Sequence, residues 1–364
     1  MLKKDKVKKL FIRESNWIGD AVMTLPALKA LREFFKEAHI TIGAKESITT
    51  ILKECGLADN YITIPHPAKG LDKARKLKLL KECGRENFDA AILFTNSFES
   101  ALEVFLMKIP TRIGYATDGR SLLLTQAVPL PSNLEEMHEV EYFSNLIKNI
   151  GIDVDDDELR LELSKKDKEF AESFFKENNL SNKLTAIIHT GTSTKERQWH
   201  LERYAQVCRY LIEKYDAAVI LSGSKDDIED TNKVKSLVKG EIFDMAGKLS
   251  ICQTAAIIEK ASIFIGNDSG PMHIASALKT PIVVIFGPGN HHKTHPYTKP
   301  ELYIQVKKEF QCRPCKQRFF KECSPAPSGK PECIESIEVK DVVDACDKII
   351  STLDLNPKQN RTKL

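Results

Sequence analysis

Short apolar runs rich in Ile, Val, Leu and Phe alternate along this chain with longer stretches whose apolar residues recur every three or four positions. The first pattern predicts buried strands and the second amphipathic helices. In the first half, strands are predicted at Leu10–Arg13, His39–Gly43, Tyr61–Pro65, Ala90–Phe94, Arg112–Tyr115 and Gln126–Leu130. Helices are predicted between them at Ala21–Phe35, Ser47–Cys55, Leu71–Cys83 and Phe98–Met107, with another at Val140–Ile150. The second half repeats the alternation, with strands at Thr185–His189, Ala217–Leu221, Ile242–Met245, Ile263–Ile265, Pro281–Phe286 and Leu302–Val306. Strands separated by helical stretches of this length imply βαβ units and parallel sheets. The join is acidic (Asp153 to Glu158), followed by a helix at Lys165–Asn178. We expect two doubly wound Rossmann-like domains, 1–180 and 181–364, with a cleft between their strand carboxyl ends, where such sheets bind ligands.

Composition narrows the class. The 364 residues suit two cores, and 42% hydrophobic with 29% charged residues is ordinary for a globular protein. A net charge of +3 excludes a polyanion binder such as a nucleic-acid protein. Basic residues do gather at Lys3, Lys4, Lys6, Lys8 and Lys9, and again at Lys69, Lys73, Arg75, Lys76, Lys78 and Lys81. They read either as solvated faces or as a surface resting on anionic lipid. No signal peptide and no apolar run of membrane-spanning length is visible, so a cytoplasmic location is expected, with peripheral contact at the inner membrane.

Candidate chemistry sits just past predicted strands. Gly266-Asn267-Asp268-Ser269-Gly270-Pro271-Met272-His273 ends a strand and opens a helix, leaving backbone N–H groups for an anion such as a pyrophosphate. Asp268, Ser269 and His273 would ring that guest. Thr190 to Trp199 offers hydroxyls at Thr192 and Ser193 and cations at Lys195 and Arg197, which suits a diphosphate. In Ser222 to Asp227 an acid could bond ribose hydroxyls or cap the next helix. Met245 to Ser250 could cradle a flat base or form an ordinary turn. Asn16-Trp17-Ile18-Gly19-Asp20 places Asp20 in a first helical turn, where it serves either as a cap or as a proton acceptor. Asp153-Val154-Asp155 has the form of a metal-binding D-x-D but lies in the connector, and is read as linker. The first strand-turn-helix lacks G-x-G-x-x-G, which argues against a nicotinamide enzyme.

Taken in order, these pieces resemble the ADP-heptose:lipopolysaccharide heptosyltransferases, glycosyltransferase family 9. The matching stretches are Trp17-Ile18-Gly19-Asp20 with Leu25-Pro26-Ala27-Leu28, Arg197-Gln198-Trp199, Asn267-Asp268-Ser269-Gly270 through His273, and Gly287-Pro288. Asn96-Ser97-Phe98, Ser100-Ala101-Leu102, Ile109-Pro110 and Arg112-Ile113-Gly114 look like the heptosyltransferase II branch. The resemblance implies a GT-B fold, acceptor binding in the first domain and donor binding in the second. It implies inverting transfer of heptose from ADP-heptose to the lipopolysaccharide core, with no metal or cofactor required. It makes Asp20 the general base and gives Thr192, Ser193, Asp268, Ser269, Gly270 and His273 to the diphosphate and heptose. Asp227 falls to the ribose and Leu249 to the adenine. Arg197 stands where the family has lysine, with Lys195 sharing the role, and His200 replaces a usual proline. On the acceptor side the resemblance suggests Asn96, Ser97, Arg112 and Arg120. The alternatives are another nucleotide sugar or acceptor, or a non-catalytic nucleotide-sugar-binding protein.

Four cysteines, Cys312, Cys315, Cys323 and Cys333, crowd into a Pro-, Lys- and Arg-rich stretch. A C-x-x-C followed by two more cysteines suggests a structural zinc, with a disulfide-stapled loop or free thiols as rivals.

Overall fold

The computed structural model describes residues 2, 4–66, 71–313, 315 and 319–356, and of Leu71 the backbone only. Lys3, Lys69 and Pro314 fall outside the described residues. The chain divides into two compact units, Met1–Glu162 and Leu163–Leu364.

The first unit carries six strands: β1 (Lys9–Arg13), β2 (His39–Ala44), β3 (Asn60–Thr63), β4 (Ala90–Leu93), β5 (Thr111–Tyr115) and β6 (Gln126–Val128). Its helices are α1 (Ile18–Met23), α2 (Leu25–Phe34), α3 (Glu46–Leu52), α4 (Leu71–Gly84), α5 (Phe98–Leu106) and α6 (Glu139–Lys148). The strands are all parallel, in the order β3-β2-β1-β4-β5-β6. Leu10, Phe11, Ile12 and Ala90 to Leu93 are fully buried, because helices cover both faces of the sheet. The single helix expected over Ala21–Phe35 is two. Thr24 ends α1, its hydroxyl donating to the Ala21 carbonyl (2.8 Å), and Pro26 lies in the first turn of α2, where its missing N–H costs nothing.

The second unit repeats the plan with β7 (Thr185–His189), β8 (Ala218–Ser222), β9 (Ile242–Asp244), β10 (Ile263–Asn267), β11 (Ile282–Ile285) and β12 (Tyr303–Val306). The helices are α7 (Lys165–Glu177), α8 (Leu201–Tyr215), α9 (Ile228–Ser236), α10 (Ile251–Lys260), α11 (Gly270–Ala277), α12 (His291–Thr294), α13 (Glu332–Glu335) and α14 (Val339–Thr352). The sheet order is β12-β11-β10-β7-β8-β9, again all parallel. α7, read from sequence as the end of the first domain, belongs to this unit. The Phe174 ring packs edge-on to Phe243 at 5.9 Å, and Lys260 lies over Phe175 at 5.8 Å. The division therefore comes one helix earlier than the expected boundary at 180.

In each unit the chain runs outward from a first strand, then returns to its other side and runs the opposite way. The switch points lie between β1 and β4 and between β7 and β10. A crevice forms at the strand carboxyl ends at such a point, and that is where open α/β sheets bind ligands.

Candidate active site

At the switch point of the second unit, the loops after β7 and β10 are joined by an ion pair between the Arg197 guanidinium and the Asp268 carboxylate. The same guanidinium nitrogen donates to the Asp268 carbonyl at 2.8 Å. Burial raises the Asp268 pKa, and Arg197 and the Thr294 hydroxyl (3.2 Å) oppose that rise. Asp268 therefore does not present a bare charge to an anion; it holds Arg197 in place. Ser269 opens α11 with extended backbone, and its hydroxyl makes no capping bond. Buried Ser269 Oγ, His273 Nδ1 and Arg197 Nε have no hydrogen-bond partner among the described residues. Polar atoms buried in that way are costly unless something fills the site. Burial, with help from the Arg197 charge, pushes His273 down to about 3, so at neutral pH it is an uncharged imidazole.

The neighbouring loops join this crest. Gly289, after β11, sits so close that an added Cβ would lie 3.5 Å from Asp268 Oδ2. On the other side, a Cβ at Gly191 would meet Asp227 Oδ1 at 2.5 Å, so only glycine lets the two loops meet. Asp227 also closes a capping box, its Oδ2 accepting from the Ser224 N–H and hydroxyl at 2.7 Å each. It is thus a cap whose second oxygen turns toward the β7 loop. The Gly247 N–H donates to Gly223 O at 3.0 Å, which brings the turn with half-buried Leu249 alongside. Thr192 donates to the Thr194 carbonyl (2.5 Å), while Ser193 and Lys195 are exposed on the same loop. Under the crest, Asn267 accepts from the Trp199 N–H (3.1 Å) and Tyr204 hydroxyl (2.7 Å) and donates to Ile285 O (3.2 Å). Asn267 and fully buried Trp199, read as motif residues, are scaffold.

At the switch point of the first unit, Asp20 lies in the first turn of α1 but is not its cap; the Ser15 hydroxyl donates to Asp20 Oδ2 at 3.0 Å. Beside it is Glu14, fully buried, whose pKa burial pushes up to about 8, with the Asp20 charge adding to the rise. Its oxygens accept from the Ser15 N–H (2.6 Å) and the Thr24 hydroxyl (3.1 Å). Arg13, the last residue of β1, pairs with Glu103 of α5 at 2.5 Å, and Glu103 pairs with Lys76 at 2.5 Å. All three are buried. After β4, Ser97 caps α5, accepting from the Ser100 N–H at 3.3 Å, and Asn96 is exposed, accepting from the Tyr142 hydroxyl at 3.1 Å.

Residues 76–323 match the model of glycosyltransferase family 9 (heptosyltransferase). The chain belongs to that family. It is 25% identical over 346 residues to the lipooligosaccharide heptosyltransferase 2 of Campylobacter jejuni serotype O:2, covering 94% of this chain and 98% of that protein. Among solved structures it resembles the E. coli ADP-heptose lps heptosyltransferase II with a TM-score of 0.76 at 20% identity, covering 95% and 99% of the two chains. It resembles E. coli heptosyltransferase WaaC, solved with ADP, with a TM-score of 0.69 at 16% identity, over 94% and 99%. The likeness to these structures shows the fold, that of the GT-B heptosyltransferases.

The family 9 assignment does not make every expected site residue a ligand. Arg112 lies near the amino end of β5, opposite Ala91, about 10 Å along the strand from the end where Asp20 and Asn96 stand. Its guanidinium is spent on the carbonyls of Leu123 and Ile109, at 2.6 Å each, and covers the Phe105 ring. Arg112 is a structural clamp and leaves the acceptor set. Arg120 follows the correct end of β5 but is fully buried, donating to the carbonyls of Tyr115 (2.9 Å) and Thr95. It shapes the Asn96 loop and offers no surface to a substrate. Lys76, counted among the basic surface residues, is likewise buried in its ion pairs.

The cysteine stretch touches the loops after β7 and β11 through its cations. Arg313 donates to the carbonyls of Phe286 (2.9 Å) and Gly287 (3.0 Å), and Lys330 to those of Lys195 (3.1 Å) and Gln198 (2.8 Å). A bridge between Pro325 and Pro331 closes a hairpin that brings Cys323 and Cys333 to either flank. None of the four cysteines is in a disulfide, and no three His, Cys, Asp or Glu side chains among the described residues are set to hold a metal. Sequence reasoning missed Glu14, the Arg13–Glu103–Lys76 chain, Thr294 and both clamping cations. A charged residue continuing a strand, as Arg13 and Glu14 do, was the available signal.

Proposed function

We propose that this chain is an inverting heptosyltransferase that moves heptose from ADP-heptose to a sugar of the lipopolysaccharide core. The observation that carries the reading is Arg197, locked by Asp268 at the β7/β10 switch point beside the amino end of α11. Fixed cations and N–H groups aimed where charge develops are usually the largest catalytic contribution. The acceptor hydroxyl oxygen attacks C1 of the heptose and its proton passes to Asp20. The bond from C1 to the phosphate oxygen breaks, and ADP leaves with the electron pair. Arg197, Ser193 and the Ser269–Gly270 backbone take up the charge on the diphosphate, with Lys195 and Thr192 on the same loop. Neutral His273 donates or accepts at the sugar-phosphate, Asp227 faces the ribose, and Leu249 the adenine. The first unit binds the acceptor, with Asn96 and Ser97 at its rim, and neutral Glu14 spares Asp20 a second negative charge. The reaction itself uses no metal, and it takes place at the cytoplasmic face of the inner membrane. The names of the similar heptosyltransferases and the ADP held by WaaC support the donor and acceptor classes.

Structural zinc on Cys312, Cys315, Cys323 and Cys333 is a separate proposal, outside the reaction. It would tie down the segment that carries Arg313 and Lys330, and metal analysis of protein never exposed to chelator tests it. The deciding experiment for the main reading is incubation with ADP-heptose and truncated core acceptors, with mass detection of the product. Asp20→Ala should abolish turnover while ADP still binds; undiminished turnover in that variant removes Asp20 from the mechanism.

A further inference from the structure

The outward face of α5 is apolar, the reverse of an ordinary surface helix. Phe98 (43% exposed), Leu102 (36%), Phe105 (46%) and Leu106 (40%) fall at i, i+4, i+7 and i+8, one stripe about 100° wide. The buried side of the same helix is Ser100, Ala101, Glu103 and Val104. Glu103 there faces Arg13 and Lys76, so the apolar residues of α5 are displaced outward by the buried ion pairs. Two further exposed leucines lie on elements packed against α5. Leu122, in the turn Arg120–Leu123 packed on α5, is 94% exposed, and Leu77 on the adjoining α4 is 42% exposed. Exposed apolar side chains clustered on one helix face in this way mark an interaction surface.

The charge beside it selects the partner. α4 presents exposed Lys73, Arg75, Lys78 and Lys81 against Asp72 and Glu82, four cations minus two anions, a surplus of two. Lys76 is buried in its pairs with Glu99 and Glu103 and adds nothing to that surface charge. Exposed Lys108 closes the other end of the stripe. A second copy of the chain would bring like charges together at this face, whereas an anionic lipid surface accepts both the apolar stripe and the flanking cations. The geometry points to the α4–α5 face as the surface by which this enzyme docks on an anionic phospholipid bilayer, inserting Phe105, Leu106 and Leu122. Among the described residues no helix is long and apolar enough to cross a membrane, so such docking is peripheral and reversible. Only the purpose of the docking, reaching a lipid-borne acceptor, rests on the function proposed above.

The test is sedimentation of the full chain with vesicles of phosphatidylcholine alone or with phosphatidylglycerol added, at low and high salt, without substrate. Binding should appear on the anionic vesicles and weaken with salt. Phe105→Glu with Leu106→Glu should reduce it at least ~10-fold, and Lys73→Glu with Lys78→Glu should do the same. Both double variants should transfer to a delipidated acceptor at the parent rate; the lysine variant should melt like the parent, and the other should lose no more than the Arg112 contact on the Phe105 ring. Undiminished binding by the Phe105/Leu106 variant overturns the inference. So does a parent dimer, seen by analytical ultracentrifugation, that this variant dissociates, because a second copy then covers the face. Vesicle binding without any heptosyl transfer would leave this inference standing and defeat the proposed function instead.

Discussion

Replacing Glu14 by glutamine should make the protein more stable, and increasingly so as pH rises. Glu14 is fully buried, and its pKa is raised from 4.5 to about 8, with burial the largest cause. The unfolded chain gives up this proton near 4.5, but the folded chain keeps it until about 8. Across that window only the unfolded state is ionised, so folding loses about 1.4 kcal/mol for each pH unit. The contribution is complete below 4.5, falls by roughly 3 kcal/mol on reaching pH 7, and levels off above 8. Glutamine has nothing to ionise. Its oxygen can accept from the Ser15 N–H, and its amide can donate to the Thr24 hydroxyl, which itself donates to the Ala21 carbonyl. The difference between variant and parent should therefore be near zero at pH 4.5, roughly 3 kcal/mol at pH 7, and constant beyond pH 8.5. Urea unfolding at a series of pH values measures it, with all shared titrations cancelling in the difference. Trp17 reports on the first unit and buried Trp199 on the second, so the change should appear in the transition of the first unit. Parallel stability curves for the two proteins, with no growth of the gap between pH 5 and 8, would refute the argument.

Other outcomes follow from the site. Arg197→Ala should weaken ADP binding ~10- to 100-fold by calorimetry, the worth of a charge-assisted contact. Arg197→Lys should recover little of it, since the Asp268 clasp uses the guanidinium. Arg112→Ala should cost ~1–2 kcal/mol of stability by leaving the carbonyls of Ile109 and Leu123 without their donor, while the acceptor KM stays unchanged; a raised KM would return Arg112 to the acceptor site.

The placement of the candidate site at strand ends was legible in the chain, and so was the position of Arg112 at the opposite end. That residue is the second of its strand, whereas Asp20, Asn96, Asp227 and Asp268 follow theirs. Which end of a parallel strand a residue occupies is a local fact, and the sequence-based assignment of Arg112 to the acceptor overlooked it. Asp268 shows the opposite case. Nothing nearby in sequence tells whether its carboxylate faces a ligand or Arg197, 71 residues away.

The alternation of apolar runs by itself determined two doubly wound sheets, because burial on both faces demands continuous hydrophobic strands and one-sided burial demands helical periodicity. It also marked the loops on which the proposed chemistry is built. The tertiary structure alone decided which charges meet. Arg13 and Glu103 are 90 residues apart, and they pair because sheet order sets β1 beside β4 and so brings α5 over the end of β1. That order also buried Lys76, neutralised Glu14 and turned the apolar side of α5 outward. Such outcomes depend on which strand lies next to which, and hydrophobic periodicity, a property of each segment alone, carries no record of it.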